Sequence, residues 1–183
     1  MITATPSSSG HCLCRNVRYR FGGPRTWACF CHCEDCRRNC AAPIVAYIGV
    51  PLDGFRWQVN EQEGTEPAFY PSSQGVKRFF CNQCGTPMAF QAEHYPGEIH
   101  LYAATLENPQ DFEPTFHVHY REKLSWLHLD DSLHRYPGSA SADPDQRIKL
   151  PISICARFST QLNEKHAYGT WPPGSGFQSA AAP

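Results

Sequence analysis

Apolar and polar side chains alternate with a period of two along much of the chain. Val17, Tyr19 and Phe21 are separated by Arg18 and Arg20, and Phe55, Trp57 and Val59 by polar neighbours. Ile99, Leu101 and Ala103 repeat the pattern, as do Phe116, Val118 and Tyr120 around His117 and His119. Segments 76–80 and 44–50 add two candidate strands. Residues two apart share one face of a strand, so these segments are predicted to be half-buried and antiparallel. Pro and Gly interrupt them at short intervals, which predicts a mainly β domain of short strands rather than a helical bundle. Only 35–40 and 121–133 are allowed a short helix. Ile148, Leu150, Ile152 and Ile154 alternate as well, and Pro151 would confine that strand, at 148–155, to a sheet edge.

The 183 residues suit one domain with some length to spare, and 41% hydrophobic residues are enough for a core. The pattern divides the chain into a polar leader at 1–10, a central domain at 11–137, and a Pro/Ser/Gly/Ala-rich extension at 138–183. Sixteen Lys+Arg against seventeen Asp+Glu give a formal charge of −1, so binding to nucleic acid through phosphates is not expected. The start, MITATPSSSG, has neither a positive nor an apolar region of the kind a secretory signal needs. The longest apolar stretch, 41–51, is interrupted by Pro43 and falls far short of the roughly 20 residues of a spanning helix. The expected address is the cytoplasm, with no membrane partner, where thiols stay reduced. That compartment makes ten cysteines a metal or catalytic feature before a disulfide scaffold.

Nine of the ten cysteines fall into three clusters. Cys12 and Cys14 form one pair. Cys81 and Cys84 form a C-x-x-C turn followed by Gly85, a residue free to take a backbone conformation that a side chain would hinder. Closed zinc sites take four ligands, commonly as two close pairs from distant parts of the chain. With 66 residues between them, these two pairs are read as one structural zinc site that ties the start of the domain to its middle. The middle cluster supplies Cys31, Cys33 and Cys36, with Cys29 before and Cys40 after. Three protein ligands and an open position make a reactive zinc site; a fourth makes an inert one. Cys40, one helical turn beyond Cys36, and Cys29, on the same side of an extended segment, are the two residues able to close it. His32 is expected to point away from the ligands and play a supporting role, with Glu34 and Asp35 weaker candidates as hard oxygen donors. Arg37 and Arg38 follow, able to balance thiolates or grip a carboxylate, or simply to face solvent. Seven ligand thiolates and two Zn²⁺ would move the formal charge from −1 to −4, further from a nucleic-acid binder.

Taken together, GHCLCRNVRY, CHCEDCRR, KRFFCNQCGTPMAF, ATLENPQDFEP with His117, and Trp126 with LDDSLHRY resemble the glutathione-dependent formaldehyde-activating enzyme family. Its domain also occurs in centromere protein V. The resemblance covers about 10–136. It implies a compact zinc-containing β-tent, with Cys12, Cys14, Cys81 and Cys84 on a structural zinc and Cys31, Cys33 and Cys36 on a catalytic one. It also implies a carbon–sulfur lyase that joins glutathione, as co-substrate, to formaldehyde. Two departures stand out. Members usually have Gly after the second cysteine, where this chain has Arg15, and a small polar residue then Gly after the middle cluster, where it has Cys40 and Ala41.

A free thiol, with a pKa near about 8.5, is mostly protonated at neutral pH, and zinc coordination deprotonates it. The middle site would therefore hold a substrate thiolate beside an electrophilic carbon. Attack on formaldehyde leaves an alkoxide, for which His32, Arg37, His117, His119, Tyr120 and Asp130 are candidate donors or orienters. Arg37 and Trp126 are candidates to contact the thiol co-substrate, Trp126 having a plain core role as its alternative. Competing readings are a two-zinc module that binds a thiol without turning it over, and carbon–sulfur chemistry on a specialised metabolite. A zinc-ribbon nucleic-acid protein is disfavoured, because no Lys/Arg run is longer than two. The expected partner is a small-molecule thiol, with an oligomer possible.

Overall fold

The alternating segments assemble into two sheets in the computed structural model, which describes residues 7–140. The expected strand at 148–155, and Cys155, lie outside the described residues. In chain order the elements are β1 (Ser7–His11), β2 (Val17–Gly22), β3 (Trp27–Cys31), α1 (Glu34–Cys40), β4 (Val45–Pro51), β5 (Arg56–Val59) and β6 (Gln62–Glu63). There follow β7 (Phe69–Ser73), β8 (Val76–Phe80), β9 (Pro87–Ala92), β10 (Glu98–Tyr102), β11 (Phe116–Val118) and β12 (His134–Arg135), with single 3₁₀ turns at Ala103–Thr105, Pro109–Asp111 and Tyr120–Glu122. One sheet has the order β1-β2-β5-β6, the other β12-β11-β3-β4-β10-β9-β8-β7. The fold is mainly β, as the alternation predicts. Pairing is antiparallel except around β11, which runs parallel to both β3 and β12.

The two sheets bury their facing residues against one another. Tyr19, Phe21 and Trp57 from the small sheet meet Ile48, Val50, Phe79, Met88 and Leu101 from the large one, all at least 93% buried. Val17, Tyr19 and Phe21 are buried while Arg18 and Arg20 are exposed, which is the alternation read from the sequence. β4 departs from it: Tyr47, Ile48, Gly49 and Val50 are all buried. Its far face is covered by α1 and a second cluster that includes Cys29, Cys31, Cys36, Val45 and Tyr102. A strand covered on both sides needs apolar residues at every position, hence the unbroken run at 44–50.

Three segments differ from expectation. Ser7–Gly10, assigned to a polar leader, belongs to β1, in register with β2 from Ser7↔Gly22 to His11↔Arg18. Its side chains carry no apolar pattern; the strand is held by its backbone ladder. Gly10 is required there, because a Cβ would collide with the Tyr19 ring and the Thr105 carbonyl, whose side chains hydrogen-bond at 2.9 Å. The strand expected to reach Tyr120 stops at Val118, because His119 adopts a left-handed conformation (φ 54°) and starts the 3₁₀ turn. The helix allowed at 121–133 is no more than that turn, while the one allowed at 35–40 is α1. Among the described residues no helix is long and apolar enough to cross a membrane.

Both departures from the family pattern lie at left-handed backbone positions. Arg15 has φ 64° in the β1–β2 turn, and Ala41 has φ 52° as the residue that ends α1, its N–H bonded to the Arg37 carbonyl. A side chain is strained there by about 1 kcal/mol or more, and glycine relieves the strain at a smaller entropic cost. Arg15→Gly and Ala41→Gly are each expected to raise stability by about 0.5–1 kcal/mol. A higher urea midpoint at unchanged m-value would register it.

Candidate metal and thiol sites

The β1–β2 turn and the β8–β9 turn meet at four sulfurs. Cys12, Cys14, Cys81 and Cys84 bring their Sγ atoms within 4.8 Å of one another, a group able to hold a metal ion. Cys12 Sγ lies 3.5 Å from Cys14 Sγ, which lies 3.7 Å from Cys81 Sγ. The turns are shaped for this. Cys81 N–H donates to the Thr86 carbonyl, Gly85 N–H to the Cys81 carbonyl, and Gly85 takes φ 74°. Val17 N–H points at Cys12 Sγ from 3.2 Å. Thr86 Oγ1 accepts from Leu13 N–H at 3.1 Å, so its own proton is directed to Cys84 Sγ, also at 3.1 Å. That hydrogen bond draws the Cys84 thiol down to about 5. Cys12 and Cys81 are wholly buried in the inter-sheet core. The pairing expected from the sequence is therefore present, and it clamps one sheet to the other.

The middle cluster is distributed over three local settings. Cys29 and Cys31 lie on β3, Cys33 immediately precedes α1, and Cys36 sits in its first turn. Cys33 supplies no side-chain cap; the Glu122 carboxylate takes that place, accepting from Glu34 N–H at 2.7 Å. Among the described residues, these thiols are not drawn together as tightly as the first four. They nevertheless act on one another. Hydrogen bonds from Cys31 and Cys33, aided against burial by the Arg78 guanidinium, draw Cys36 down to about 3. Hydrogen bonds with Cys33 and Cys36, together with burial, push Cys31 up. The geometry thus favours one thiolate within a set of three, with Cys33 the partly accessible member. Cys40, a candidate to close the set, turns its thiol to the Cys36 carbonyl at 3.1 Å. Cys29 is buried, its thiol pushed up above 9 by burial and the nearby Cys36. All nine described cysteines are free thiols.

Other candidate residues have more specific surroundings than their positions in the sequence suggested. Arg37 spends donors on protein: Nε on the His32 carbonyl at 2.9 Å and Nη2 on the Glu122 carbonyl at 3.2 Å. It braces the ligand segment against the Tyr120–Glu122 turn. Trp126 is 63% exposed, so the plain core role is not its place. Asp130 is exposed, and its neighbour Asp131 holds the contacts. Asp131 accepts from His117 Nε2 at 3.1 Å, and His117 Nδ1 lies 3.0 Å from His32 Nε2. With the carboxylate fixing the proton on His117 Nε2, His117 Nδ1 accepts and His32 Nε2 donates. His32 Nδ1 is left as a buried acceptor with no partner. Burial, with the neighbouring His117 and the cations Lys123, Arg37 and Arg135, pushes His32 down to about 4, so it is neutral at pH 7. Sequence reading missed Asp131 and Arg78. Asp131 had a detectable signal, an acid two residues before Leu133 in LDDSLHRY; Arg78 stood in the candidate strand at 76–80 with nothing to mark it.

With the geometry in place, relatives can be compared. Residues 7–122 match the glutathione-dependent formaldehyde-activating enzyme family, and the chain belongs to that family. An uncharacterized lyase of Schizosaccharomyces pombe is 32% identical over 85 residues, 46% of this chain. The match spans 58% of that relative's length. A crystal structure of a Rhodobacter sphaeroides protein aligns with a TM-score of 0.45 at 25% identity, covering 56% of this chain and 93% of that one.

Two measurements test these contacts. Cys81→Ser, or removal of metal by a chelator, is expected to abolish cooperative unfolding of the domain, followed by circular dichroism, because a closed metal site is coupled to folding. Asp131→Ala leaves the wholly buried His117 without its acceptor and should cost roughly 1–3 kcal/mol at pH 7. Burial, the largest single influence, opposes ionisation of Asp131, but the hydrogen bonds from His117 and the Leu133 N–H, together with the Arg135 charge, outweigh it and hold the pKa below the usual carboxylate value. A carboxylate depressed on folding stabilises above its unfolded pKa. The gap between wild type and variant should therefore close as pH falls through the depressed value.

Proposed function

We propose that this chain is a zinc-dependent enzyme of the carbon–sulfur lyase type. It joins a thiol, with glutathione as the expected co-substrate, to a small carbonyl such as formaldehyde, or reverses that addition. The sulfur–carbon bond forms as the carbonyl π pair moves to oxygen; the thiol proton ends on that oxygen, giving a hydroxymethyl thioether. The observation that carries this reading is the Cys36 thiol in a buried cluster with Cys31 and Cys33, its Sγ 3.9 Å from the buried Arg78 guanidinium. Three soft sulfur donors suit zinc, and an ion held there would keep an incoming thiol deprotonated and in place. A second zinc on Cys12, Cys14, Cys81 and Cys84 would be structural.

The protein's own side chains have separable duties in this scheme. Arg37 and Glu122 hold the 31–34 segment in shape through their backbone partners. His117 and Asp131 hold the neutral His32 ring. Arg37 and His117 are committed to protein partners, which removes them as free proton donors. Thiols kept reduced for metal binding suit a cytoplasmic address.

Cys33→Ser is expected to lower zinc content by about one equivalent per chain and abolish glutathione-dependent consumption of formaldehyde, with the far-ultraviolet spectrum retained. Turnover at the wild-type rate would remove the catalytic assignment. Stoichiometric glutathione binding by wild type, without faster adduct formation, would convert the protein to a thiol-binding module.

A further inference from the structure

Arg78 is a buried cation without a carboxylate. It is 7% exposed, on β8, between Tyr70 of β7 and Phe90 of β9. Among the described residues no acidic side chain forms an ion pair with it. Its fixed contacts are Nε on Ser72 Oγ at 3.0 Å, the Phe90 ring 5.2 Å beneath the guanidinium, and Nη1 at 3.9 Å from Cys36 Sγ. The register shift between Pro71 and Ser73 places Ser72 where it can accept. Polar groups near it on this face include the phenols of Tyr47 and Tyr102, both kept neutral, chiefly by burial, and the Asn39 amide on the Tyr102 hydroxyl. A buried guanidinium cannot shed its proton, so an anion must answer it. Cys36 is the group in position to do so.

Three thiolates around one Zn²⁺ carry a net charge of −1, and a substrate thiolate makes it −2. Burying that charge is costly unless a cation stands beside it. We propose that Arg78 is the permanent counter-charge of the Cys31/Cys33/Cys36 site, a positioning residue that lets three thiolates and an incoming sulfur share one buried location. The proposal rests on the function argued above. Arg78 touches a ligand sulfur, forms no bond in the reaction, and acts on the affinity of the site for metal and thiol.

The test titrates the full chain, freed of metal, with Co²⁺ and follows thiolate-to-metal charge-transfer absorption. Wild type should take up two ions. Arg78→Gln should weaken the second by roughly 10- to 100-fold and leave the first, on Cys12/Cys14/Cys81/Cys84, unchanged. Arg78→Lys keeps the charge and should stay within about threefold of wild type; a role in packing or geometry alone gives no such rescue. Two ions bound equally well by wild type and Arg78→Gln would overturn the counter-charge and leave the proposed function standing. A single ion in wild type would overturn the second metal site, and the counter-charge with it. If Arg78→Gln does not fold, the change is repeated with Cys36→Ser. Recovery of folding in the double variant supports the charge pairing, and failure in both backgrounds makes Arg78 a packing residue and overturns the proposal.

Discussion

Two sheets in this protein are held by one chemical constraint: four sulfurs from two turns must occupy a space about 5 Å across. Cys12 and Cys14 come from the turn that closes β1 on β2, Cys81 and Cys84 from the turn that closes β8 on β9. Because one turn belongs to the small sheet and the other to the large, satisfying the sulfurs aligns the apolar faces. Tyr19, Phe21 and Trp57 then meet Ile48, Phe79 and Leu101. A chain of this size buries enough apolar surface to fold, but a mainly β topology closes long loops before its contacts form. A metal ion held by these four sulfurs, from pairs 66 residues apart, would offset much of that entropy.

The opposite face of the large sheet works under a different rule. There the sulfurs of Cys31, Cys33 and Cys36 meet polar groups brought from distant strands: Arg78 from β8, Tyr47 from β4, Tyr102 from β10. α1 lies over this face, anchored by Asn39 on the Tyr102 hydroxyl at 2.7 Å. Two thiols of the first set, Cys12 and Cys81, are wholly buried in the apolar core; the second set sits beside a cation, where electrostatics governs how much negative charge can be gathered. That difference in surroundings, more than the number of cysteines, separates a clamp from a site suited to chemistry.

Departures from the family pattern also become physical statements. Arg15 and Ala41 occupy left-handed positions that favour glycine, so they store strain in the two turns that flank the two sulfur sets. Cys40, which stood as a threat to the open position, points its sulfur into its own helix backbone. The sequence could name Cys40 as a candidate ligand, because one helical turn separates it from Cys36.

The β character, six of the strands, α1 and the pairing of Cys12/Cys14 with Cys81/Cys84 were legible in the chain. Each rests on local periodicity or on a short spacing with one physical meaning. β1 was not, since its polar residues join a sheet only through backbone hydrogen bonds to β2. β3 was not either: it is covered on both sides, so it shows no alternation. Arg78 carries no local mark of its role, because a side chain's counter-charge is chosen by whichever strand packs against it. Periodicity determined what each segment would become; long-range packing decided which charges would face one another, since contact between residues 42 apart in sequence is set by sheet order.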